Sequence, residues 1–305
     1  MVKVKEIYDY LLGEFRPDDY SGEKGKAPYK KATTLFDAAG RRLLFVGGMH
    51  VGTGDPFIGF LKGTFEKFKP DFLLVERPCT DSEENLSWFT RNEPKEAWRE
   101  AEWALYFAKE CRIGFGGMDA PFNEFFNPFA SIGVDSFKFS VFYWFLLQYY
   151  SFKSRARLNA EDVYQLAKSQ VIIDFTMQSG RFYTLNKEFM EMCREGKSST
   201  VDDILDAIIA EMTNKYIAKG PVLPLIDKRN MTTPYPFMKG YEINKVSALW
   251  TAFRDKYMIE KSVNTLRYHR RVIAVAGIGH IWEIRSFLEK ELRKTFGTCE
   301  THKWV

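Results

Sequence analysis

Histidine is scarce in this chain, with four among 305 residues, and cysteine is equally scarce at four. Cys79, Cys111, Cys193 and Cys299 stand far apart, with no Cys-x-x-Cys pair and no zinc-finger spacing. That excludes a disulfide-stapled scaffold and a Cys-ligated metal knuckle, and predicts reduced thiols in a cytoplasmic protein. Long apolar runs are also missing. The most apolar stretch, Val141 to Tyr150, is about half of what a membrane span needs, so it reads as a buried helix. The first residues, Met1 to Glu6, contain no apolar signal core. No charge of one sign dominates: 44 basic against 40 acidic residues leave a net charge of +4, which is no footprint for nucleic acid. A Gly-x-Ser-x-Gly elbow, a phosphate-binding loop ending in Gly-Lys-Ser/Thr, a complete dinucleotide fingerprint and a His-Glu-x-x-His helix are all absent. Their absence argues against the serine hydrolases, nucleotide-binding folds and ordinary zinc proteases that carry them.

What is present is a repeated unit. Arg42-Leu-Leu-Phe-Val-Gly-Gly-Met-His50 and Val272-Ile-Ala-Val-Ala-Gly-Ile-Gly-His280 are each a short apolar run, then Gly-x-x-His, then a helical pattern. An apolar run of this length closed by glycine reads as a strand buried on both faces. Open α/β sheets bind ligands outside the carboxyl ends of their strands, which is where both histidines fall. Phe72 to Val75 is a further strand that delivers Glu76 at its end, and Cys111 to Met118 is another, ending at Asp119.

Between these strands lie helical patterns, one from Asp55-Pro56 through Phe57, Phe60, Leu61, Phe65 and Phe68, another opening at Glu93-Pro94 with an alanine face at Ala97, Ala101, Ala104 and Ala108. Strand, helix, strand, helix, strand predicts parallel pairing. The fold class expected is therefore α/β, with a central, mostly parallel sheet flanked by helices. Residues 1–41 read as a polar extension holding a short helix near Ile7 to Phe15. Residues 42–121 and 250–305 form the core, and 122–249 a helical insertion that covers the ligand edge. In that insertion Phe137–Tyr150, Ala160–Phe175, Leu185–Arg194 and Val201–Lys219 carry helical patterns, and the Pro-rich stretch from Gly220 to Gly240 ends them. Ile243–Tyr268 is expected as a returning helix and Thr298–Val305 as an edge strand. The aromatic share of 16%, with 27 Phe, suits a helical subdomain packed on rings or a pocket lined by them.

His50, Glu76 and His280 are expected to converge, with Asp119 as a fourth member. Two imidazoles and a carboxylate make a ligand set for a divalent ion such as Mn, Co, Zn or Fe, with room left for water and substrate. The same groups also suit metal-free catalysis, one histidine acting as general base and Glu76 orienting it. Asp119 can equally cap the next helix, and Arg254-Asp255 can equally be a solvated pair on a helix.

Taken in order, the blocks resemble the TraB/PrgY family and its relatives, the TIKI proteins, in the superfamily that includes erythromycin esterases and ChaN-like proteins. The resemblance rests on Gly47-Gly-Met-His50, on Lys69-Pro-Asp-Phe-Leu-Leu-Val-Glu76, on Glu100 to Asp119, on Arg254-Asp-Lys-Tyr-Met258 and on Val272 to His280. Asp119-Ala-Pro121 departs from the family's usual Asp-Arg-Pro. The resemblance implies a metal-dependent hydrolase acting on peptides. His50, His280 and Glu76 would then be ligands or bases, and Arg254 would stabilise a developing oxyanion. The erythromycin-esterase branch implies instead ester hydrolysis without a tightly held metal. The expected partner is a peptide or small-molecule substrate, with no nucleic acid and no transmembrane segment. Homo-oligomers are compatible with this reading, and so is a third one in which the chain sequesters a peptide or apolar ligand without catalysis.

Overall fold

The computed structural model describes residues 2–13, 33–48, 55–78, 100–121, 124, 127–130, 135–155, 158–176, 191, 200–227 and 242–304. The chain divides into two compact units, one of residues 1–121 with 252–305, the other of residues 122–251.

The first unit is an α/β sheet structure. Its strands are β1 (Thr34–Ala38), β2 (Arg41–Gly48), β3 (Phe72–Pro78), β4 (Gly114–Asp119), β5 (Arg271–Gly277) and β6 (Glu300–Lys303). They lie in the order β4-β3-β5-β2-β1-β6. The four strands from β4 to β2 are parallel, while β1 pairs antiparallel with both β2 and β6. The parallel strands are buried runs because helices cover both of their faces. On one face Leu44, Val46, Leu73, Val75, Ile273 and Val275 pack against α2 (Asp55–Phe68) and α3 (Glu100–Glu110). The phenylalanines of α2 and the small residues Ala101, Ala104 and Ala108 of α3 fill that layer. Against β1, β2 and β5 lies a further helix, Ile278–Phe296, which itself touches α1 (Val4–Gly13), with Tyr10 edge-on to Phe287 at 5.4 Å.

The N-terminal stretch is more than a polar extension. Besides α1, it contributes β1, joined to β2 by Ala39 and Gly40, both at positive φ (54° and 78°). That two-residue turn has the left-handed backbone a tight hairpin requires. The strand escaped the sequence reading because Thr34-Leu-Phe-Asp-Ala38 is short and carries a charge in its middle. The expected tail strand is present as β6.

The chain order of the sheet explains where a ligand edge arises. The chain leaves β2, passes through α2 to β3 and on to β4, and only returns as β5 into the gap between β3 and β2. Strand order thus reverses beside β5, and the crevice at such a point, at the carboxyl ends, is where α/β sheets hold ligands.

The second unit is helical. Beyond the short turn α4 (Asn127–Ala130), it contains α5 (Ser136–Arg155), α6 (Ala160–Thr176), α7 (Val201–Tyr216) and α8 (Val222–Asp227). The first turns of α9 (Glu242–Tyr268) belong to it as well, the division falling inside that helix. Phe139, Phe142, Tyr143, Phe145, Leu146 and Tyr149 of α5 are fully buried, so the aromatic content here forms a core. Thr200 and Asp203 form a reciprocal capping box that starts α7. Buried Lys168 of α6 reaches Asp206 and Asp202 of α7 at 2.7 and 3.2 Å. A helix at Val222–Asp227 stands where the Pro-rich stretch was expected to end the helical run; Pro224 sits in its first turn, where a missing N–H costs nothing. The expected helix at Leu185–Arg194 lies outside the described residues except for Glu191, and the expected helix start at Glu93 lies outside them too. No helix among the described residues is long and apolar enough to cross a membrane.

Candidate functional site

Four elements of the first unit bring a compact set of charged side chains to the carboxyl edge of the sheet. β3 supplies Glu76 and Arg77, and β4 supplies Asp119. The part of α9 within this unit supplies Arg254 and Asp255. β5 runs without a loop into α10, the Ile278–Phe296 helix, whose first turns carry His280 and Glu283.

Alternation along β3 decides which side each group faces. Leu73 and Val75 point to the α2/α3 layer, so Glu76 points to the opposite face and Arg77 returns to the α3 side. Arg77 there pairs with Glu102 of α3. Glu76, on the other face, accepts a hydrogen bond from the Gly277 backbone N–H at 2.7 Å. Gly277 is the N-cap of α10, so this carboxylate sits at the positive end of that helix. The second oxygen of Glu76 accepts from Arg254 Nη2 at 2.6 Å.

Arg254 is a bridge. Its Nε donates to both oxygens of Asp119 at 3.0 Å, and its Nη2 contacts Asp119 as well as Glu76. The three side chains are 11%, 6% and 13% exposed, so little water screens them. Burial opposes the charge of Arg254, but Asp119 and Glu76 outweigh it and hold the guanidinium above its ordinary pKa. Asp119 also accepts from the Ala120 N–H at 2.7 Å, so its role includes bracing the chain just past β4.

His280 lies on the far side of Glu76. Its Nε2 is 3.5 Å from Glu76 Oε1, its Nδ1 is 2.6 Å from Asp255 Oδ1, and Glu283 Oε2 is 3.7 Å from the same Nδ1. Burial alone would discharge this imidazole, but Asp255 and Glu76 reverse that and raise its pKa well above the ordinary value. Burial pushes the Asp255 carboxyl up, and His280 opposes that shift. Asp255 and Glu283 were not singled out from the sequence as site residues. Asp255 in particular is no solvated helix charge, because its side chain is 0% exposed. The signal available was its place beside Arg254; what was missing was which face of α9 is covered.

The expected set is therefore partly assembled. Glu76, Asp119, Arg254 and His280 converge, with Arg254 between the two carboxylates. His50 lies outside the described residues; it follows Gly48, the last residue of β2, by two positions. His269 and His302 lie apart from this set, with side chains 33% and 53% exposed. Among the described residues, Asp255, His280 and Glu283 are a buried group whose donor atoms all lie within 4.8 Å of one another.

For a metal ion, the informative distance is the one between His280 Nε2 and Glu76 Oε1. Two ligands each about 2.0–2.2 Å from a tetrahedral ion are about 3.4 Å apart, and the pair stands at 3.5 Å. The donor types, imidazole and carboxylate, suit zinc, manganese, cobalt or iron. The spacing of Nε2 and Oε1 matches that of two ligands of one ion, and Oε1 also accepts from Arg254 Nη2 at 2.6 Å.

A further carboxylate residue packs at the end of β2. Glu100 of α3, 3% exposed, lies over Gly48, where an added Cβ would stand 2.6 Å from Glu100 Cγ and 2.8 Å from its Cβ and Cδ. These are inner atoms of the side chain, so they cannot swing away cheaply. Gly48→Ala is expected to cost about 1–3 kcal/mol of stability, read as a lower midpoint in urea; an unchanged midpoint would mean that Glu100 does not pack there.

No protein-family model matches the chain, and neither a curated protein nor a solved structure matches it.

Proposed function

We propose that this chain is a hydrolase of the TraB/TIKI type that activates water beside His280 and Glu76, with a divalent ion held by His280 Nε2, Glu76 and His50. The observation that carries the reading is the facing pair His280 Nε2 and Glu76 Oε1 at 3.5 Å, at the carboxyl ends of the parallel strands. A divalent ion supplies, when bound, a water acidic enough to lose its proton near neutral pH. The chain's own groups do the rest. Glu76 is fixed by the Gly277 N–H and by Arg254, so its free energy of ordering is already met before substrate arrives. Arg254 would supply positive charge to a carbonyl oxygen as it becomes negative, while Asp119 keeps the guanidinium oriented. The peptide substrate is taken from the likeness of the sequence blocks to the TIKI proteins.

One observation favours a second reading, a metal-free esterase-type hydrolase. Arg254 donates to the same Glu76 oxygen that faces His280, so Glu76 is already compensated and His280 already has three acidic neighbours. A protonated His280 would satisfy the site without an ion.

The test is the metal content of purified protein by elemental mass spectrometry, wild type against the His50→Ala/His280→Ala double variant. About one equivalent in the wild type, absent from the variant, is expected. Glu76→Ala and His280→Ala should each lower peptide turnover by about a thousandfold or more in a folded protein. Turnover of esters that survives exhaustive chelation would transfer the site to the second reading. Full activity in both single variants would remove it altogether.

A further inference from the structure

We propose that Asp255 is the positioning residue of this site: it holds the proton of His280 on Nδ1 and thereby turns Nε2 toward Glu76. The inference deepens the hydrolase reading and rests on it for its catalytic consequence, but not for its geometry.

The argument begins with cost. Asp255 is 0% exposed and Glu283 is 3% exposed at the side chain, and both surround one imidazole. Buried carboxylates are costly to keep, and apolar residues of similar volume at such places are often as stabilising or more so. A helix as long as α9, already carrying apolar buried neighbours at Ala252, Met258 and Ile259, has no structural need of an acid there. What the acid does is visible in its partner. Asp255 Oδ1 is 2.6 Å from Nδ1, in the range of a charge-assisted hydrogen bond. With Asp255 ionised beside His280 and Arg254, its oxygen only accepts, which assigns the proton of that bond to Nδ1.

With Nδ1 protonated, the other nitrogen is the one left to act. Nε2 faces Glu76 Oε1 at 3.5 Å, a spacing that a shared proton or a metal ion between the two atoms would suit. A carboxylate, an imidazole and a cation in line is the outer support that metal-binding histidines ordinarily have, and the same line orients a histidine used as a base. Asp255 comes from α9, Glu76 from β3 and His280 from α10, so three elements fix the ring at both nitrogens.

The chain's four histidines make the test direct. Imidazole nitrogens labelled with ¹⁵N in the full-length protein give few signals, and a His280→Gln variant identifies those of His280. In wild type Nδ1 should read as protonated. Asp255→Asn keeps the volume but replaces the obligate acceptor, and should move the proton to Nε2. It should weaken binding of added Zn²⁺ or Mn²⁺ by about 10–100-fold and lower kcat by about 10²–10⁴-fold with KM changed less than about threefold. Asp255→Glu, which retains the carboxylate, should recover Nδ1 protonation. Unchanged His280 nitrogen shifts and ion affinity in folded Asp255→Asn would overturn the proposal, and so would wild-type His280 found protonated on Nε2 alone. A wild type that binds no ion and turns over neither peptides nor esters removes the hydrolase reading, while a proton shift in Asp255→Asn would still establish Asp255 as the group that orients His280.

Discussion

Replacing Arg254 by alanine should lower the free energy of unfolding by about 3–5 kcal/mol, the range seen when one partner of a buried ion pair is removed. The reason lies in what remains. Glu76 and Asp119, 13% and 6% exposed, would face each other without the guanidinium that now donates to both. The Gly277 N–H would still donate to Glu76, and the Ala120 N–H to Asp119. Lysine should restore only part of the loss, because one ammonium cannot reproduce the fork that reaches Asp119 through Nε and Glu76 through Nη2. A useful companion is Glu76→Gln/Arg254→Met, which removes one of the two stranded charges together with their partner and should be less destabilised than Arg254→Met alone. Urea unfolding measures all of these. A loss below about 1 kcal/mol for Arg254→Ala would put the pair in the class of solvated surface bridges and contradict its burial.

A second large effect is expected from one methyl group. At Gly117 of β4 an added Cβ would stand 2.1 Å from the Pro78 carbonyl oxygen and 2.5 Å from that of Arg77. Both are backbone atoms at the end of β3, where the β3–β4 register shifts between Val75 and Pro78. No side-chain rotation relieves that clash, so the strand end that carries Glu76 must move. Gly117→Ala should cost about 3 kcal/mol or more, at the upper end of overpacking effects, and should reduce activity beyond what lost stability explains. Its neighbour is the control. A Cβ at Gly116 would meet only the Phe72 ring, at 3.7 and 3.8 Å, which is ordinary contact. Gly116→Ala should change stability by less than about 1 kcal/mol. Equal effects at the two positions would mean that the register shift is not as described.

Both experiments turn on contacts between distant parts of the chain, and that is where sequence and structure part company. Sequence by itself determined the buried strands. Leu43 to Val46, Phe72 to Val75 and Val272 to Ala276 are continuous apolar runs of four or five residues bounded by glycine or charge, a length that suits strands covered on both faces of a sheet. It also placed Glu76 and Asp119 at the ends of β3 and β4 and His280 just beyond β5, whereas the structure sets His280 in the first turn of α10. The long helix Glu242–Tyr268 and the tail strand were legible for the same local reasons. The edge strand Thr34–Ala38 was not, since five residues with a central aspartate carry too little periodicity.

Tertiary structure alone decided the rest. Nothing local to β5 says that it enters between β3 and β2, yet this insertion is what sets His280 beside Glu76. Asp119 and Arg254 are 135 positions apart, and their pairing depends on α9 returning to the carboxyl end of β4. The clearest case is Asp255. In sequence it is one acid in a helix of mixed composition, indistinguishable from a solvated one. In the fold the first turns of α10 close over it, and the low dielectric there binds it to His280. Hydrophobic patterning is written residue by residue along the chain, whereas the worth of a charge is set by what excludes water from it, and that is supplied by other segments.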